Sequence, residues 1–146
     1  MLLQYSKTMG KLHLHIANAN QTFTDAEIAI FKNTAQQAET FISSEFAQFD
    51  YEVDVIIATP SFMLPTIAED GIAGKTLHSR LIMISVDKSQ HGVSEDFIFE
   101  TICHEMSHSL RWEKLPEYAE TMFDGMILEG LAVVLEEEAM VKTGRQ

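Results

Sequence analysis

The chain has 146 residues, 46% of them hydrophobic and 22% charged, a composition that excludes disordered and fibrous classes and leaves room for one ordinary domain spanning 1–146. Its single cysteine, Cys103, excludes an intrachain disulfide and zinc-ribbon Cys pairs, so any metal site must be built from His, Asp and Glu. Ten Lys+Arg against 22 Asp+Glu give a formal charge of −12, which repels phosphate backbones and anionic lipid surfaces and argues against nucleic-acid or membrane partners.

From the N-terminus, Met1–His15 holds two short apolar patches broken by Lys7, Gly10 and Lys11, unlike a signal peptide. No run approaches the ~20 apolar residues of a membrane span, and a cytoplasmic location is expected. Lys11–Asn18 alternates Leu12, Leu14 and Ile16 against His13 and His15, the pattern of a strand with one buried face. Thr24 with Glu27 forms a capping box, followed by apolar residues at helical spacing, which predicts a helix from about Asp25 to Phe46. The β-branched run in Asp50–Pro60 predicts a buried strand. Ser61–Lys75, with Pro65, Gly71 and Gly74, is expected to be a loop lining a cleft, and Leu77–Val86 a further strand.

Ser94 caps a helix expected to reach Trp112, and Pro116 suits the start of a last helix running through Ala139 and ended by Gly144. Glu136–Glu138 are most simply its solvated face. The order β, α, β, β, α, α favours an α+β architecture over a doubly wound parallel sheet.

His104-Glu105-Met106-Ser107-His108 matches HExxH within the predicted helix. At ~3.6 residues per turn, His104 and His108 lie about 40° apart around the axis and one turn apart along it, so both imidazoles can reach one ion. Glu105 lies about 100° from His104, placed to face a water on that ion. Ile98, Phe99, Ile102, Cys103, Met106 and Leu110 fall on the opposite side, which points the histidines at a cleft. The alternative is a pair of surface histidines on an amphipathic helix.

Glu129 follows His108 by 21 positions, on a face shared with Met122, Met126 and Val133. An ionised carboxylate on an apolar face costs several kcal/mol unless it is paired, binds a cation or reaches water at the helix edge. With the His pair it makes a three-ligand Zn²⁺ site, one ion per chain, with one position open for water.

HExxH followed after about twenty residues by a Glu on the next helix resembles the gluzincin metallopeptidases, the class that includes thermolysin. More narrowly, TICHEMSHSLRW with the downstream LEGLA is similar to the YjaZ-like zinc-dependent proteases of bacteria, a domain of unknown function, and GIAGKTLHSRLIMISVD resembles the glycine-rich turn and strand before their active-site helix. The resemblance spans about Gly71 to Ala132. It implies His104, His108 and Glu129 as zinc ligands and Glu105 as general base and proton shuttle, acting on a peptide or protein substrate. Two departures stand out. The Asp that orients a histidine in thermolysin-like chains, four residues after the ligand Glu, is Val133 here, and only 17 residues follow Glu129, too few for the C-terminal lobe of large gluzincins.

The expected fold is therefore a single-domain, zincin-like α+β fold with a small, mainly antiparallel sheet, a backing helix, the HExxH helix and a C-terminal glutamate-bearing helix. The expected function is peptide hydrolysis, with a peptide lying along Leu77–Val86. The alternative is a metal-stabilised binding module without turnover. His78, Arg80 and Tyr118 are the polar candidates to assist at the carbonyl oxygen. Cys103 reads as a core residue, His13 and His15 as a solvated strand face, and Arg111 and Trp112 as supports for the Glu129 helix. The acidic surface suggests substrates with basic residues, and nothing in the sequence sets an oligomeric state.

Overall fold

A computed structural model describes residues 9–60 and 71–145. The elements run β1 (Lys11–Ile16), α1 (Asp25–Glu45), β2 (Glu52–Ala58), β3 (Ile72–His78), β4 (Leu81–Val86), α2 (Lys88–His91), α3 (Glu95–Trp112) and α4 (Met122–Thr143). The Thr24 capping box forms as its sequence predicts: the Glu27 amide donates to Thr24 Oγ1 at 3.2 Å and the Thr24 amide to Glu27 Oε2 at 2.8 Å.

The four strands form one sheet in the order β1-β2-β4-β3. It is mixed rather than mainly antiparallel: β1 pairs β2 and β2 pairs β4 in parallel, and only β3 with β4 is antiparallel. The 21-residue helix α1 is the physical reason for the first parallel pair, since a crossover of that length returns the chain to the same end of the sheet.

The strand expected over Leu77–Val86 is instead a hairpin. Leu77 and His78 end β3, Ser79 and Arg80 make the turn, and β4 begins at Leu81. The imperfect alternation of LHSRLIMISV came from that turn. Ile72–Lys75, expected as loop, belongs to β3; Ser61–Asp70 lie outside the described residues.

Val53, Val55 and Ile57 of β2 and Ile82 and Ile84 of β4 are fully buried on one face of the sheet, with Val55 beside Ile82 and Ile57 beside Ile84. Helices α1 and α3 supply Phe31, Ile42, Ile98 and Phe99 to the same core. Truncating a buried ring such as Phe99 to Ala would cost ~3–5 kcal/mol. The other face carries His13 and His15, paired with Glu52 at 3.4 Å and Asp54 at 2.7 Å.

Helix α4 starts later than Pro116 suggests. Thr121 and Asp124 form a second capping box, with the Thr121 amide donating to Asp124 Oδ2 at 2.9 Å. Gly144 ends it in the left-handed region at φ 71°.

Candidate metal centre

The Ser94 hydroxyl caps α3 by accepting from the Phe97 amide at 3.3 Å. The buried stripe Ile98, Phe99, Ile102, Cys103, Met106 and Leu110 then fixes the helix rotation. That rotation turns His104, Glu105 and His108 into a cleft of about 890 Å³ between β3, α3 and α4. The rings of His104 and His108 lie 5.3 Å apart.

Glu129 of α4 faces both rings. Its Oε2 is 3.1 Å from His104 Nε2 and its Oε1 3.5 Å from His108 Nε2. One ligand atom from each residue lies within 4.8 Å of the other two, a set that could hold a divalent cation.

Both imidazoles present Nε2 because carboxylates hold the other nitrogen. His104 Nδ1 lies 2.6 Å from Glu136 Oε2 and His108 Nδ1 2.8 Å from Glu117 Oε2. A carboxylate at Nδ1 keeps the proton there and leaves the Nε2 lone pair free to bind a metal. Burial works to lower the pKa of His104, but the hydrogen bond to Glu136 and the charges of Glu105 and Glu136 outweigh it and hold the pKa above its ordinary value. Glu117, only 8% exposed, also accepts from Arg111 Nε, while Arg111 Nη2 donates to the carbonyl of Leu128 at 3.0 Å. Arg111 thereby ties α3 to α4 one residue before Glu129.

Glu105 is buried beneath β3. The Thr76 hydroxyl lies 2.7 Å from its Oε2 and 2.9 Å from its backbone oxygen. Desolvation raises the Glu105 pKa, with the Thr76 hydrogen bond and the two nearby imidazoles acting in the opposite sense. Gly74 permits this approach: a Cβ there would stand 2.7 Å from Glu105 Cγ, Glu105 Oε1 and Thr101 Cγ2.

Residues 31–144 match a family described as predicted Zn-dependent protease (DUF2268). The chain belongs to this family. The match extends the similarity seen around HExxH and LEGLA back into α1 and forward to the end of α4. No curated protein and no solved structure matches the chain.

The three candidates to assist at the carbonyl oxygen are not among the residues lining the cleft. Arg80 binds Glu113 at 2.5 Å and lies over the Tyr51 ring, and His78 Nδ1 accepts from the Arg80 amide at 3.2 Å. Tyr118 is exposed and meets Trp112 edge-on at 6.4 Å. Cys103 is buried in the core, which pushes its thiol pKa up to about 12.

Glu136 corrects the solvated-face reading of Glu136–Glu138: its side chain is 18% exposed and bound to His104, while Glu137 and Glu138 are exposed. Seven residues is almost two whole turns, so Glu136 repeats the direction of Glu129, a signal present in the sequence. Glu117 and Thr76 carry no such spacing signal, because a non-helical connection and a strand bring them to the site.

Proposed function

We propose that the chain is a zinc-dependent peptidase of the gluzincin type, with His104, His108 and Glu129 as metal ligands and Glu105 as general base. The observation that carries this reading is the convergence of two Nε2 atoms and one carboxylate on one point beside a buried carboxylate. Two neutral imidazoles and one carboxylate suit Zn²⁺, and the carboxylate at each Nδ1 is placed to keep a proton there once Nε2 gives its lone pair to the metal. Zinc bound there supplies a Lewis acid and lowers the pKa of a water to about 7.

The residues of the chain do the rest. Burial raises the proton affinity of Glu105, so it can take a proton from the attacking water and release it to the leaving amine. Thr76 holds its carboxylate toward the cleft. The strand for an extended peptide is β3: it is the sheet edge, and Ile72–Thr76 line the cleft, whereas β4 is flanked by β2 and β3. Glu100 and the ligand-bearing carboxylates outnumber Lys75 along this cleft, which favours basic substrates.

The test is elemental analysis of chelator-free protein, followed by turnover of a peptide library. About one zinc per chain is expected under this reading. Glu105→Gln should keep that zinc and lose turnover by about 10²–10⁴-fold. No zinc, even after its addition, rejects the reading; bound zinc without turnover favours the metal-stabilised binding module.

A further inference from the structure

Helix α4 has 22 residues, of which Ala132, Leu135 and Ala139 are buried, yet its first three turns are apolar around most of their circumference. Phe123, Met126, Ile127, Leu131 and Val134 are 49–70% exposed. Between 122 and 134 the only charges are Asp124, occupied in capping Thr121, and Glu129, turned to the histidines. A helix apolar on all sides is one that becomes buried, and no helix among the described residues is long and apolar enough to cross a membrane.

The face continues onto the segment before the helix. Exposed Leu115 and Tyr118 line a groove of about 820 Å³ together with Ile127, Leu131 and Val134. At roughly 150–250 Å² for a large side chain, these residues leave on the order of 1,000 Å² of apolar surface open to water. That exceeds the roughly 300–600 Å² of the largest patch on a typical monomer and meets the roughly 800 Å² per partner of a standard stable interface.

We propose that this face binds a second copy of the chain, with the two α4 helices antiparallel and crossing at Gly130. The area of the patch against what a stable dimer needs selects that occupant, and two observations bear on the arrangement. Gly130 sits in the middle of the outward face, and a Cβ there would meet nothing within 4 Å. No packing among the described residues requires glycine at this position, where it costs about 1 kcal/mol relative to alanine; at a helix crossing, the missing side chain lets the two axes come close.

The second observation is the placement of charge. Each copy carries −12, so two copies can approach only through an uncharged surface, which this face provides. Exposed Glu137 and Glu138 lie just beyond the apolar stretch. An antiparallel crossing at Gly130 carries them to the N-terminus of the second copy's α4, where the helix dipole favours carboxylates and the one acid of the first turn, Asp124, is already engaged in capping Thr121. A parallel pair would set the same carboxylates against each other. In the antiparallel pair Val134 meets Met126 of the second copy, and one patch serves both sides of a closed two-fold dimer.

Sedimentation velocity and light scattering on the full chain at micromolar concentration should give twice the 16.5 kDa of one chain. Ile127→Glu and Val134→Lys, at half-exposed positions, should each return a monomer with an unchanged circular-dichroism spectrum. Gly130→Cys should cross-link across the two-fold axis under a mild oxidant. A monomeric wild-type chain would overturn the proposal. A dimer untouched by both charge substitutions, or one in which Gly130→Cys does not cross-link, would overturn it as well.

Discussion

His104 Nδ1 lies 2.6 Å from a carboxylate oxygen of Glu136, seven residues beyond Glu129 on the same face of α4. One helix therefore supplies both the carboxylate facing Nε2 and the one holding Nδ1. Under the proposed reading of Glu129 as a ligand, the position four residues on is Val133, and Glu136 would orient the histidine from the turn beyond. Glu136→Gln should weaken zinc binding by about 10–100-fold with little change in helix content. A competition titration against a chromogenic chelator measures this, and an affinity equal to wild type would remove Glu136 from the site.

The close approach of β3 to α3 depends on Gly74. Gly74→Ala introduces a Cβ 2.7 Å from Glu105 and Thr101, so strand or helix must move. Overpacking of this kind costs about 1–3 kcal/mol, and urea titration should show a loss in that range. Because the displaced strand carries Thr76, turnover should fall more than substrate affinity does. Stability and kcat both equal to wild type would refute the packing argument.

Tyr51 gives the fold a defined alkaline limit. Its hydroxyl is bonded to Ser109 Oγ at 2.8 Å, and burial pushes its pKa from 10.0 up to about 12. An acid whose pKa is raised by folding favours the folded state fully below its unfolded pKa, and that contribution is lost as pH rises through the folded value. Stability should therefore decline between pH 10 and 12. Tyr51→Phe should be less stable at neutral pH and show a shallower decline across that window. Thermal melts at stepped pH decide the matter, and parallel curves for the two proteins would count against it.

Cys103 adjoins His104 in sequence but points into the core. With burial raising its thiol to about 12, almost no thiolate exists at pH 8. Ellman's reagent should leave the native protein unmodified and titrate one thiol after denaturation. Rapid modification of native protein would contradict the buried placement.

Local signals in the sequence were read well where one short stretch carries the whole argument. The Thr24 capping box, the Ser94 cap and the apolar stripe of α3 each depend on residues within one or two turns, and each matches the structure; the spacing of His104 and His108 likewise sets both rings on one face of α3. Glu129 stands out in the sequence because an isolated carboxylate among methionines has an energetic problem to solve, and in the structure it faces both histidines. Information failed where it was distributed over the chain. Strand direction in the sheet depends on where a crossover such as α1 returns the chain, which no strand states in its own residues. The β3–β4 turn was hidden because Ser79 and Arg80 carry no Gly, Pro, Asn or Asp. Glu117 reaches His108 only through a connection without periodicity, and Thr76 reaches Glu105 only across two elements.

The fastening of α4 is uneven along its length. Its C-terminal end is pinned by Lys142 to Glu45 at 2.6 Å and by Arg145 stacked over the Phe99 ring. The half that carries Glu129 is held to α3 by buried Ala132 and Leu135, by an Arg111 bond to a carbonyl and by the carboxylates on His104 and His108. Opening of this half alone would expose less buried surface than unfolding the core and so would cost less free energy. An ion between the histidines and Glu129, a peptide on β3 and a second copy on the outer face would each favour the docked position. Their affinities are then thermodynamically linked, and strengthening any one raises the others by the same factor.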